Sequence, residues 1–158
     1  MRANSSIIYL TILVALVLQI IPMPTGVDAY RPDWLLIILC YWGMALPNRV
    51  SVGVAAICGF ILDLLYGTAL GVHSIALAIP IFIVNANCQK LRNQSMIQQV
   101  IAIMLLSIVH HLCIFWVQYW VVSLEFRWSL FWPTLSTIIL WPWIFWLLRK
   151  LRRQFNVA

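Results

Sequence analysis

Six apolar runs, parted only by short clusters of proline, glycine and basic residues, take up almost all of the 158-residue chain. They cover about 7–23, 34–46, 50–66, 71–88, 97–122 and 130–148. A helix that crosses a bilayer needs about 20 mainly apolar residues. Pro22 and Pro24 close the first run, Pro32 opens the second at a helix start, and Pro47 closes it. The chain is 64% hydrophobic and only 9% charged, whereas a soluble domain carries about 25% charged residues. A soluble globule of this size leaves too much of itself in water to hide that apolar surface. The expected fold is an all-α integral membrane protein: one polytopic domain over 1–158, six transmembrane helices and short loops.

The net charge of +6 sits in clusters between the apolar runs. It is not interleaved across a solvated face as nucleic-acid binding needs. Orientation in the bilayer explains it better. With N- and C-termini both cytoplasmic, the inner side holds Arg2, Arg49, Lys90, Arg92, Arg149, Lys150, Arg152 and Arg153. The outer side holds only Arg31 and Arg127, the asymmetry that the positive-inside rule demands. The second run is short enough to be re-entrant. If it did not cross, Lys90 and Arg92 would fall outside. Asp28, Asp33 and Glu125 also fall outside. Trp34, Trp120, Trp128 and Trp132 are expected at the outer boundary, and Trp42 and Trp146 at the inner one, because indoles favour the interface. The N-terminal run with Val27-Asp28-Ala29 has the outline of a cleavable signal, but cleavage would leave an odd number of spans.

Asp63 is the one acid inside a run, and an intramembrane carboxylate marks a functional position by default. Gly59, Asp63 and Gly67 are spaced i, i+4, i+8 and share a helix face. Glycines there let another backbone come close. The expected partners of Asp63 are the hydroxyl of Ser74, the imidazole of His73, or a backbone amide freed where Gly67–Gly71 breaks the helix. The plain alternative is a carboxylate solvated at the outer headgroups.

His110 and His111 point about 100° apart on one helix, whereas a zinc helix would use i and i+4. Neutral histidines bonding to neighbouring helices are the simpler expectation. Gln19, Asn85, Asn87 and Gln118 read as polar glue between helices. Pro142, between Trp141 and Trp143, should kink the last helix. The four cysteines form no C-x-x-C pair and read as small buried hydrophobes. No metal site or cofactor is expected. No Walker loop, G-x-S-x-G, H-E-x-x-H or close carboxylate pair occurs, which argues against an enzyme. Asp63 with His73 is the one pair that a membrane enzyme could use.

The order of short motifs resembles the MreD family. The motifs are Leu18-Gln19-Ile20, then Arg31-Pro32-Asp33-Trp34-Leu35-Leu36, then Ala45-Leu46-Pro47-Asn48-Arg49-Val50. Gly59-Phe60-Ile61-Leu62-Asp63-Leu64 runs on to Gly67 and Leu70-Gly71-Val72, and Leu140-Trp141-Pro142-Trp143-Ile144-Phe145 precedes Leu148-Arg149-Lys150. The likeness is dense over 18–72 and 131–155 and sparser between about 73 and 125. It implies a non-catalytic inner-membrane component of the rod-shape elongation complex. Such a component binds MreC directly and works with MreB and a wall-synthesis polymerase and transpeptidase. A homodimer is a further implied arrangement. On this reading Arg31, Asp33, Trp34, Glu125 and Arg127 form an outer rim that meets a partner. The resemblance also implies a distant likeness in fold to the substrate-binding subunits of energy-coupling-factor transporters. The competing reading is therefore a membrane-embedded subunit that binds or transports a small molecule or lipid. It requires a polar cavity open to one side, lined by residues such as Asp63, His73 and Asn85.

Overall fold

The structure, a computed structural model, describes residues 5–22, 24, 30–122 and 131–155. These residues form seven helices and no strand: α1 (Ser5–Ile20), α2 (Trp34–Ala45), α3 (Val52–Tyr66), α4 (Val72–Ala86), α5 (Cys88–Arg92), α6 (Met96–Val122) and α7 (Trp132–Gln154). Within α6, Met96–Val121 contains an 18-residue stretch of mean hydropathy 2.4, and among the described residues it is the one helix long and apolar enough to cross a membrane. The apolar helices α1 to α4 are shorter. Four basic residues near its end, with its prolines and tryptophans, dilute the apolar character of α7.

The shortest of these, α2, lies at the centre. Eleven of its 12 residues are buried, and it packs against α1, α4, α5, α6 and α7. At the α-helical rise α2 is about 18 Å long, well short of a hydrocarbon core of about 30 Å. Its neighbours enclose it on every side along its length. Enclosure also corrects one expectation. Trp42 is not interfacial: it is fully buried, and its indole N–H donates to Thr11 Oγ1 on α1 at 2.9 Å. Trp120, Trp132 and Trp146 are exposed, and Trp128 lies outside the described residues.

The helices alternate in direction. The end of α1, the start of α2, the end of α3 and the starts of α4 and α7 meet around one cavity. The end of α2, α5 and the second half of α7 meet at the opposite end. Two helices differ from the sequence reading. The five-residue α5 was not anticipated; Gln99 of α6 holds it, donating to the carbonyls of Leu91 and Gln94 at 3.2 and 3.3 Å. The last helix runs on to Gln154 rather than stopping near 148. Its basic end keeps good helix formers in register and sets positive charge at the negative end of the helix dipole.

Candidate functional site

A buried polar layer lies at the end of the bundle where α2 begins. Its first half is built on Asp63, which is fully buried one turn before the end of α3. Its Oδ1 accepts hydrogen bonds from Thr68 Oγ1 at 3.0 Å, from the backbone N–H of His73 at 3.0 Å and from His73 Nδ1 at 2.7 Å. Its Oδ2 accepts the N–H of Gly71 at 2.8 Å. Gly71 is the N-cap of α4, so Asp63 supplies from the preceding helix the capping acceptor that α4 lacks in its own sequence. A carboxylate near the C-terminal end of α3 gains nothing from that helix, but the positive end of the α4 dipole favours it. Of the partners expected from the sequence, the His73 imidazole and a backbone amide at the Gly67–Gly71 break are the ones that the carboxylate meets. Ser74 goes elsewhere, donating to the Ala56 carbonyl at 2.5 Å.

The two glycines flanking Asp63 do different jobs. A Cβ on Gly59 would sit 2.5 Å from the backbone of His73 and Ser74, so α3 and α4 touch there backbone to backbone. Gly67 has open space around it but a left-handed φ of 65°. It serves as the αL cap that ends α3, not as a contact.

The second half is built on Asp33, the N-cap position of α2. Its side chain makes no cap hydrogen bond with its own helix. Instead Oδ2 accepts from Ser107 Oγ of α6 at 3.3 Å, and Ser107 is 3.2 Å from Thr134 Oγ1 of α7. The Asp33 N–H donates to Thr137 Oγ1 at 3.1 Å. His111 Nε2 lies 2.9 Å from Asp33 Oδ2, off the line of a good hydrogen bond. Its neighbour His110 bonds through Nδ1 to the Ala76 carbonyl of α4 at 2.9 Å. Asp33 thus joins α2, α6 and α7 inside the bundle and is not a rim residue. Arg31 is also turned inward, donating to the carbonyls of Leu18 and Ile21 at the end of α1, where a cation is favoured. Trp34 is half-buried. Glu125 and Arg127 lie outside the described residues. Sequence reading missed Ser107, Thr134 and Thr137. Two threonines at i and i+3 in an apolar run share a face, and that signal was available.

Between the two halves lies a cavity of about 330 Å³, lined in part by Gln19, Arg31, Asp33, His73, His110 and His111. Asn85, expected there, bonds instead to the Val50 carbonyl near the other end of the bundle. Asp33, His110 and His111 bring three ligand atoms within 4.8 Å of one another. The sequence reading had judged the two histidines too divergent to share an ion. One carboxylate and two imidazoles suit zinc or iron, but the present bonds of Asp33 and His110 compete with that role. The arrangement is better suited to holding helices than to turnover. Asp63, which with His73 forms the pair a membrane enzyme could use, is buried with both oxygens engaged.

The model of the rod shape-determining protein MreD family matches residues 1–151. This chain belongs to the MreD family. A rod shape-determining protein MreD from Haemophilus influenzae (strain ATCC 51907 / DSM 11121 / KW20 / Rd) is 36% identical to it over 141 residues, covering 89% of this chain and 87% of that protein. No solved structure matches the chain. MreD is a membrane family of structural, shape-determining proteins. Membership accounts for the apolar side chains that the bundle leaves uncovered, among them Leu10 and Leu13 on α1, Ile57 and Leu64 on α3, and Ile97 and Leu105 on α6. In water such faces would drive aggregation or association.

Proposed function

We propose that this MreD protein is a non-catalytic component of the rod-shape complex in the bacterial inner membrane. It crosses six times with both ends in the cytoplasm, binds MreC, and helps position lateral peptidoglycan synthesis alongside MreB and a polymerase–transpeptidase pair. The family match over residues 1–151 carries this reading. The distribution of charge supports the orientation: Arg92, Arg149 and Arg152 gather at one end of α2, and Asp33 and Asp63 at the other. A short central helix enclosed by five others suits a rigid platform.

The MreC contact lies on the outer rim. Arg31 and Asp33 support that rim from within. Its described part is the Tyr30–Trp132 pair, with ring centroids 5.1 Å apart and both rings exposed, and the half-buried Trp34; Glu125 and Arg127 are assigned to it only by their place in the sequence between α6 and α7. Copurification from solubilised membranes tests it. Tagged chain should retain MreC, and combined Glu125→Lys and Arg127→Glu with Trp132→Ala should lose it. Full retention would move the contact into the membrane.

The second reading, a subunit that binds a small molecule or lipid, draws support from the 330 Å³ polar cavity, which is at the small end of ligand sites. Transport or tight binding of a solute by purified chain in vesicles would favour it.

A further inference from the structure

At the far end of α2 lies a second cavity, of about 200 Å³. Its floor is the last turn of α2, with Tyr41, Met44 and Ala45; Arg92 enters from α5, and Phe145, Arg149 and Arg152 from α7. Arg92, Arg149 and Arg152 thus line one cavity together with apolar and aromatic side chains, at the end of α2 between α5 and α7. The sequence has no acid in 64–124 and none after Glu125. The α5 and α7 segments, which supply Arg92 and Arg149, therefore carry no acidic side chain of their own. The remaining bases of α7 do not enter the cavity. Lys150 lies over the exposed Trp146 ring at 5.3 Å, and Arg153 lines a neighbouring depression that shares Arg149 with this cavity.

We propose that this cavity binds the phosphate of an anionic phospholipid, of the phosphatidylglycerol type, from the surrounding leaflet. Guanidinium forks match phosphate oxygens two at a time, and basic pockets between membrane helices take anionic head groups. At about 30 Å³ per water, the space holds a phosphate group but not a whole lipid. The acyl chains stay outside, along the apolar face of α7 where Trp146 and Leu147 are exposed. The bound phosphate ties α5 to α7 across the end of α2. This inference rests on the membrane reading and not on the MreC contact, so its test uses purified chain alone.

The test is thermal unfolding of the full chain in neutral detergent, titrated with dihexanoyl phosphatidylglycerol, dihexanoyl phosphatidylcholine or inorganic phosphate. Phosphatidylglycerol should raise the unfolding temperature where the other two do not. The Arg92→Gln/Arg149→Gln variant should need roughly thirtyfold more phosphatidylglycerol for the same rise, at about fivefold per basic residue. Lys150→Gln/Arg153→Gln, with the same loss of charge outside the cavity, should behave like the parent. Equal stabilisation by phosphatidylcholine, or equal losses in the two variants, would overturn the proposal. Equal stabilisation by inorganic phosphate would make the cavity a free-anion site and overturn the lipid assignment. If the double variant does not fold, native mass spectrometry of Arg149→Gln decides: fewer phosphatidylglycerol adducts than the parent support the site, and equal adducts refute it.

Discussion

One oxygen of Asp63 receives both the backbone N–H and the ring Nδ1–H of His73, at 3.0 and 2.7 Å. The two residues belong to different helices, ten positions apart, joined by a turn with left-handed Gly67 and Gly71. A carboxylate can only accept hydrogen bonds, and here every partner donates. The Asp63 carboxyl therefore closes the α3–α4 hairpin, and Gly59 sets how closely the two helices lie.

Asp63→Asn should be milder than Asp63→Leu. The amide oxygen can keep the bonds to Thr68 and His73, while its NH₂ faces the Gly71 N–H and loses that one. Leucine leaves the part-buried Gly71 and His73 amides unpaired, at about 1 kcal/mol for each donor, the low end of the cost for a buried one. Thermal unfolding in detergent reads the order, and equal losses would show that the hydrogen bonds contribute little.

The glycines should rank by cause. Gly59→Ala should destabilise by about 3 kcal/mol, because its neighbours are backbone atoms that cannot swing aside. Gly67→Ala should cost about 1 kcal/mol from the left-handed φ alone, and Gly67→Asn less. Gly53, with nothing nearer than Ser51 Oγ at 3.6 Å, should gain up to about 1 kcal/mol as alanine.

Asp33 and His111 should be coupled. A cycle of Asp33→Ala, His111→Ala and the double variant should give an interaction of about 2 kcal/mol. Additive losses would mean that their 2.9 Å approach has no energetic weight.

Stoichiometric zinc should leave the unfolding temperature of the parent unchanged, since the donors of Asp33 and His110 are engaged within the protein. A rise that disappears in His110→Ala and in His111→Ala would instead identify the cluster as a metal site.

Apolar runs of this length speak for helices with little ambiguity, and Pro32, Pro47 and the Gly67–Gly71 pair mark where several of them start and stop. The special standing of Asp63 was legible too, because an acid in an apolar run has to find donors. The depth of Asp33 was not. At the head of an apolar run it looks like a solvent-side cap, and only the packing of α6 and α7 over the short α2 buries it. Trp42 was misread for the same reason: a tryptophan near a helix end suggests the interface, yet α2 has no lipid-facing side. Nor could local sequence reveal that Arg92 and Arg149, 57 positions apart, face one cavity.

On the proposed function, this MreD chain maintains rod shape through a bundle held together at Asp63. Depletion in its rod-shaped host, with cell width and length followed by microscopy, tests it most directly. Cells should round up as the chain disappears. Plasmid-borne parent and Asp63→Asn should restore rods, and Asp63→Leu at matched expression should not. Cells that stay rod-shaped after complete loss of the chain, with no second copy in the genome, would contradict the account.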